Sequence, residues 1–188
     1  EFKKQIGAEN KTVLLVTGAS SGAVTLNEAM RKLVPKLLED NPDLYVIHQT
    51  GQGKTGVYQG YAHERLDVQE FLYPFYAYTG ASDLVVTRGS ATNLAELGVQ
   101  GRACIVVPSP FLTGGHQLKN AEKLNEQGSA VVVQETTLTP EPLDLDAAIR
   151  ELLKNPERRK ELGKKLQENT ISDATHNLAM VLLEVAKK

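Results

Sequence analysis

Thr12-Val13-Leu14-Leu15-Val16-Thr17-Gly18-Ala19-Ser20-Ser21-Gly22 begins as a short β-branched run and ends as a tight, glycine-containing turn. A helix follows from about Ala23 to Glu39, with Leu26, Met30, Leu33 and Leu37 at helical spacing. Asn41-Pro42 stops it. Strand, glycine turn and long helix in that order form the first half of a β-α-β unit.

Working outward, the same alternation recurs. Leu44–Gln49 reads as the second strand, Thr50–Gly56 as a glycine-rich loop and Val57–Ala62 as a short helix. Leu66–Phe71 is expected as the third strand, with Pro74 in the first turn of a helix, where its missing N–H costs nothing. Asp83–Thr87, Ala103–Val107 and Ala130–Gln134 complete six strands, with helices over Ala91–Val99 and His116–Gln127 between them. Three further helices, Leu145–Lys154, Pro156–Asn169 and Asp173–Lys187, close the chain. The pattern predicts an α/β fold: a doubly wound, mostly parallel, six-stranded Rossmann-like sheet. Ligands of such sheets bind beyond the C-terminal strand ends, where the strand order switches. That rule selects the segments Gly18–Gly22, Phe71–Phe75, Thr87–Asn93 and Ser109–Gln117.

Composition narrows the class. The chain has 188 residues, 41% hydrophobic and 23% charged, with a formal net charge of -2. One globular domain fits that length. No basic excess is present to attract a nucleic-acid backbone. No apolar run approaches the roughly 18 residues of a membrane span. Residues 1–10 read as a linker arriving from a preceding domain, and residues 11–188 as the binding domain with its C-terminal helices. Cys104 is the only cysteine and lies in an apolar run, so it reads as a small buried hydrophobe. A cytoplasmic location fits.

Each candidate segment has a chemical reading and a structural one. Gly18–Gly22 lets a ligand approach the backbone at a helix N-terminus, which suits a phosphate, with Ser20 and Ser21 as hydroxyl donors; it would equally serve as a turn without a ligand. It lacks the G-x-G-x-x-G spacing, and no acidic residue closes the second strand, which argues against an NAD-dependent dehydrogenase. Gly53-Lys54-Thr55 is not a P-loop, because His48 stands where its first glycine belongs. In Thr87–Glu96 an arginine ends a strand, small residues make the turn, and a carboxylate follows. Arg88 can pair with a diphosphate. Glu96 can accept from both hydroxyls of a ribose. A surface salt bridge with a helix cap is the alternative there. His116, Gln117 and Asn120 cluster at a helix start, where they suit sugar hydroxyls or solvent. No HExxH and no Cys/His cluster is present, so no metal site is expected. No Gly-x-Ser-x-Gly elbow is present either.

Together these segments resemble glycosyltransferase family 28, in its branch that adds N-acetylglucosamine to the undecaprenyl-linked muramoyl-pentapeptide. The resemblance runs from about Thr12 to Val185. It is carried by Val16–Ala23 with Leu26-Asn27, His48–Gly51, Glu70-Phe71, Asp83–Arg88 with Glu96, Pro108-Ser109-Pro110, His116-Gln117, Asn120-Ala121 and Asp173-Ala174. The chain departs from the family pattern at Tyr73-Pro74-Phe75, at Gly89-Ser90-Ala91 and at Thr92-Asn93.

The resemblance implies the C-terminal half of a two-domain GT-B enzyme, holding UDP-GlcNAc as donor substrate without a cofactor or metal. It places Ser20, Ser21 and the turn amides, Gly22 included, at the diphosphate, with Arg88 nearby. Phe71 and Leu72 would border the uracil, and Ser90, Ala91 and Thr92 would line the nucleotide. Glu96 would bind the ribose, and His116, Gln117 and Asn120 would face the sugar. It assigns the lipid-linked acceptor, the general base and the membrane-docking surface to an N-terminal domain, with the whole protein at the inner face of the cell membrane. No catalytic residue is therefore expected in these residues, and the chain alone is expected to bind donor without turnover. A related lipid glycosyltransferase and a non-catalytic nucleotide-sugar-binding subunit remain the alternative readings.

Overall fold

A computed structural model describes residues 1–18, 22–111 and 113–186 of the chain, apart from the side chains of Thr113 and Thr175. In chain order the elements are α1 (Phe2–Gln5), β1 (Thr12–Thr17), α2 (Val24–Asp40), β2 (Leu44–Gln49), β3 (Leu66–Gln69), α3 (Phe75–Ala81) and β4 (Leu84–Thr87). They continue with α4 (Ala91–Val99), β5 (Cys104–Val106), α5 (His116–Glu126), β6 (Val131–Val132), α6 (Leu143–Lys154), α7 (Pro156–Glu168) and α8 (Ala174–Ala186).

The six strands form one sheet in the order β3-β2-β1-β4-β5-β6, and every pairing is parallel. The direction of winding reverses at β1, which lies between β2 and β4. Helices cover both faces, so the central strands are buried on both sides and alternate between two cores. Leu14 and Val16 face a cluster with Leu26, Met30 and Leu37 of α2 and Ile149 and Leu152 of α6. Val13 and Leu15 face the opposite cluster, with Tyr78 of α3, Leu94 and Leu97 of α4, Leu124 of α5 and Leu166 of α7. Cys104 is fully buried in that second cluster, and burial pushes its thiol pKa up to about 12, so it packs as a small apolar residue.

The fold is the expected one, with local differences that have local causes. The third strand ends at Gln69 rather than Phe71, because Glu70 turns away to accept a hydrogen bond from the Gly53 N–H at 2.9 Å. The short helix expected over Val57–Ala62 is a 3₁₀ turn, Thr55–Tyr58. Pro74 stands just before α3 as its cap. The sixth strand keeps only Val131 and Val132, as an edge with one neighbour. Residues 2–5, within the segment read as a linker, form a helical turn docked on the domain. The Phe2 ring meets Tyr78 edge-on at 4.9 Å, and Lys3 pairs with Asp83 at 2.6 Å. At the other end α7 starts as expected, with Pro156 in its first turn and Asn155 accepting from the Arg158 N–H. Leu178, Val181, Leu182 and Val185 of α8 stay exposed.

Candidate functional site

The register across the switch point aligns the strand ends. Thr17 pairs with Gln49 on one side and Thr87 on the other, and Thr87 pairs with Val106. The loops after β1, β2, β4 and β5 therefore rise from one rim. The Thr17 hydroxyl ties two of these ends together by donating to Gln49 Oε1 at 2.6 Å.

Glycine is required where the first loop turns. A Cβ on Gly18 would lie 2.5 Å from the Ala23 nitrogen, and one on Gly22 would lie 2.0 Å from the Thr50 carbonyl oxygen. Gly22 also has φ +67°, the left-handed region that favours glycine. The turn is thus pressed against the start of the loop that follows β2. Ser20 and Ser21, the expected hydroxyl donors, lie outside the described residues.

Three helices begin at this rim: α2 after Ala23, α4 after Ser90 and α5 after Gly115. Among the described residues no side chain caps any of them. Their first N–H groups and the positive ends of their dipoles are therefore available to an anion. The loops leading into α4 and α5 are knit together. A Cβ on Gly89 would lie 2.7 Å from the Gln117 carbonyl oxygen, Asn120 Nδ2 donates to the Gly89 carbonyl at 2.9 Å, and the Ser109 N–H donates to Gln117 Oε1 at 2.9 Å. Two of the residues expected to face a sugar thus each commit one end of the amide to joining the loops. His116 is exposed, its ring folded back towards Gly114.

On α4, Ala91 and Thr92 are exposed and Ser90 and Glu96 half-buried. Thr92 and Glu96 stand one turn apart on the same face. Burial shifts the Glu96 carboxyl pKa upward from the ordinary carboxylate value. Beyond β3, Phe71 is exposed and Leu72 is buried against the second core. A cleft of about 260 Å³ lies beside the start of α2, walled by Val24, Asn27, Glu28, Gly53 and Lys54. A larger one, about 440 Å³, runs along the β3 edge past Tyr58, Tyr61 and Leu66.

Arg88 is the residue whose setting the sequence does not anticipate. Its guanidinium is buried, donating Nη1 to the Val107 carbonyl at 3.3 Å and Nη2 to the Glu135 carboxylate. Glu135 is buried as well, and among the described residues nothing partners its Oε2. The pair clamps the end of β4 to the segment after β6, directly behind the turn that carries Gly89 and Ser90. No motif marks Glu135. A carboxylate following an apolar edge strand was the one available hint.

His48 is held by hydrogen bonds to Tyr58 and Asn27. It is fully buried, and desolvation lowers its pKa to about 3, so it is neutral. Among the described residues no group of three His, Cys, Asp or Glu side chains could hold a metal ion. Nor is any helix there long and apolar enough to cross a membrane.

Comparison with known proteins identifies the family and the fold. Residues 13–178 match the glycosyltransferase family 28 C-terminal domain. The chain is 36% identical over its whole length to the UDP-N-acetylglucosamine--N-acetylmuramyl-(pentapeptide) pyrophosphoryl-undecaprenol N-acetylglucosamine transferase of Anaeromyxobacter sp. (strain K), covering 49% of that protein. It is 35% identical over 95% of its length to the transferase of the same name from Myxococcus xanthus, covering 47% of it. The chain thus spans about half the length of the curated relatives it matches. Among solved structures, Acinetobacter baumannii MurG superposes with a TM-score of 0.80 at 26% identity, over 97% of this chain and 53% of that one. The Staphylococcus aureus MnaA–UDP structure shares the fold, with a TM-score of 0.73 at 16% identity, over 95% of this chain and 47% of that one.

Proposed function

Because the chain belongs to the glycosyltransferase family 28 C-terminal domains, we propose that it is the donor-binding half of an inverting N-acetylglucosaminyltransferase. The donor is UDP-GlcNAc and the acceptor a lipid-linked peptidoglycan precursor, the reaction for which the relatives are named. The observation that carries this reading is that three helices without side-chain caps, α2, α4 and α5, follow the adjacent ends of β1, β4 and β5 on one rim of the sheet, the β1/β4 switch point among them. That is a place built for a diphosphate.

In the transfer, an acceptor hydroxyl attacks the anomeric carbon while the bond to the diphosphate breaks. Negative charge grows on the departing UDP. The N–H groups at the start of α2, with the turn Ser20, Ser21 and Gly22, meet that charge, and the fixed helix ends need no reorganisation to do so. No metal or cofactor is needed for this stabilisation. Arg88 acts from behind the second turn, where its clamp on Glu135 and Val107 holds Gly89 and Ser90 in place. Ser90, Ala91 and Thr92 line the nucleotide. Glu96 accepts from the ribose hydroxyls and so orients the nucleoside. Leu72 presents its backbone to the uracil edge, and Phe71 flanks the ring. His116, Gln117 through Nε2 and Asn120 through Oδ1 face the sugar. The lipid-linked acceptor, the general base and the surface that meets the inner face of the cell membrane belong to the half of the protein outside this chain. This half alone binds donor without turnover.

The test is calorimetric titration with UDP-GlcNAc, UDP-glucose and NAD in the presence of a chelator. UDP-GlcNAc is expected to bind and NAD not to; preference for NAD would overturn the proposal.

A further inference from the structure

Four buried groups behind the first turn form a chain of hydrogen bonds. Tyr58, in the 3₁₀ turn, meets His48 Nδ1 at 2.9 Å, and His48 Nε2 meets Asn27 Oδ1 at 3.1 Å. Asn27 Nδ2 donates to the Thr50 carbonyl at 2.9 Å. That carbonyl oxygen is the atom against which Gly22 is pressed.

The protons in this chain have a single consistent arrangement. Only Nδ2 of Asn27 can donate to a carbonyl, so Oδ1 faces His48 and accepts. His48 therefore carries its hydrogen on Nε2, and its bare Nδ1 accepts from the Tyr58 hydroxyl. Reversing the Asn27 amide would set two acceptors against each other at Thr50. The Thr50 carbonyl thus sets the amide orientation of Asn27, the His48 Nε2–H holds Oδ1 in place, and Asn27 anchors the peptide after Thr50. Burial holds His48 neutral, so the arrangement does not change through the physiological range. Without the Asn27 donor, the buried Thr50 carbonyl would have to turn towards another partner, and Gly22 and the start of α2 would lose the surface they rest on.

We infer that Asn27 and His48 are positioning residues for the diphosphate: they set the turn at Gly22 through the Thr50 carbonyl and touch no ligand themselves. This rests on the donor-site reading above. Their influence should fall on phosphate binding and spare the nucleoside, whose proposed contacts at Phe71, Leu72 and Glu96 lie on other elements.

The experiment measures Kd for UDP and for uridine in the intact protein and in Asn27→Ala, His48→Gln and His48→Asn. Glutamine places its amide where Nε2 stands and can still donate to Asn27, whereas asparagine reaches only the Nδ1 position. UDP affinity is expected to fall about tenfold in Asn27→Ala and His48→Asn, with uridine within about twofold, and to stay near wild type in His48→Gln. Equal losses of UDP and uridine would mean general loosening and would overturn the inference. So would equal behaviour of the glutamine and asparagine variants, or unchanged UDP affinity. Should His48→Asn fail to fold, Asn27→Ala and His48→Gln decide the same question. Failure of the wild-type protein to bind UDP would instead remove the donor-site reading, and this inference with it.

Discussion

Replacing Arg88 with methionine removes a cation from the rim's buried clamp while keeping much of its volume. Arg88 and Glu135 are 7% and 6% exposed, so the carboxylate left behind would have little water to solvate it. Removing one partner of a buried pair costs about 3–5 kcal/mol, chiefly the penalty of an uncompensated charge. The Val107 carbonyl also loses its Arg88 donor. We therefore expect a loss of about 4 kcal/mol in urea denaturation, equivalent to a melting temperature lower by roughly 12 °C in a chain of this size. Glu135→Gln keeps an acceptor but leaves the cation unpaired, and should cost about 2–4 kcal/mol. The double variant Arg88→Met with Glu135→Leu removes both charges and should lie within about 1 kcal/mol of wild type, because apolar replacements of a buried pair are often neutral. Additive costs in the double variant would refute the claim that the two residues form a mutually dependent pair. If the clamp also holds the phosphate-facing turn, Arg88→Met weakens UDP more than uridine. Equal loss for both would place Arg88 away from that turn.

Glu96→Ala should weaken UDP by about 1–3 kcal/mol in calorimetry, from loss of hydrogen bonds to a charged acceptor; unchanged affinity would take Glu96 out of the site. Gly22→Ala should destabilise the fold by more than about 2 kcal/mol, since the new methyl meets the Thr50 oxygen and the backbone is left-handed there. A wild-type melting temperature would contradict the close approach. His48 carries a pH signature. Its folded pKa lies near 3, below the ordinary histidine value, so the stability it contributes is fully present above about pH 6.5 and is lost as pH falls towards 3. Between pH 7 and pH 5 the loss is about 2 kcal/mol, and denaturation of His48→Gln should lack that share. The same pH slope in both proteins would show that His48 is not buried as described.

Much of the fold could be read locally. The runs Thr12–Thr17, Leu44–Gln49 and Asp83–Thr87 are apolar and β-branched, with helical spacing between them, and such patterns depend only on neighbours in sequence. The rim segments followed from that alternation, because parallel strands place the following loops at one edge. The weak elements were harder. The third strand stops where Glu70 turns to Gly53, 17 residues back, and the sixth is an edge with one neighbour; no local pattern registers either. The turn at Phe2–Gln5 is held by packing of Phe2 on Tyr78, far along the chain.

By itself, then, the sequence determined the order of strands and helices, the family pattern and which loops rise at the C-terminal rim of the sheet, since these depend on periodicity, turn residues and chain direction. Only the tertiary structure decided what the polar side chains on that rim do. Arg88 turns inward to Glu135, 47 residues on; Gln117 and Asn120 bind loops to each other; His48 bonds to Asn27 across 21 residues. A buried polar group must find a partner wherever the fold has brought one, and that choice is made by packing rather than by spacing along the chain.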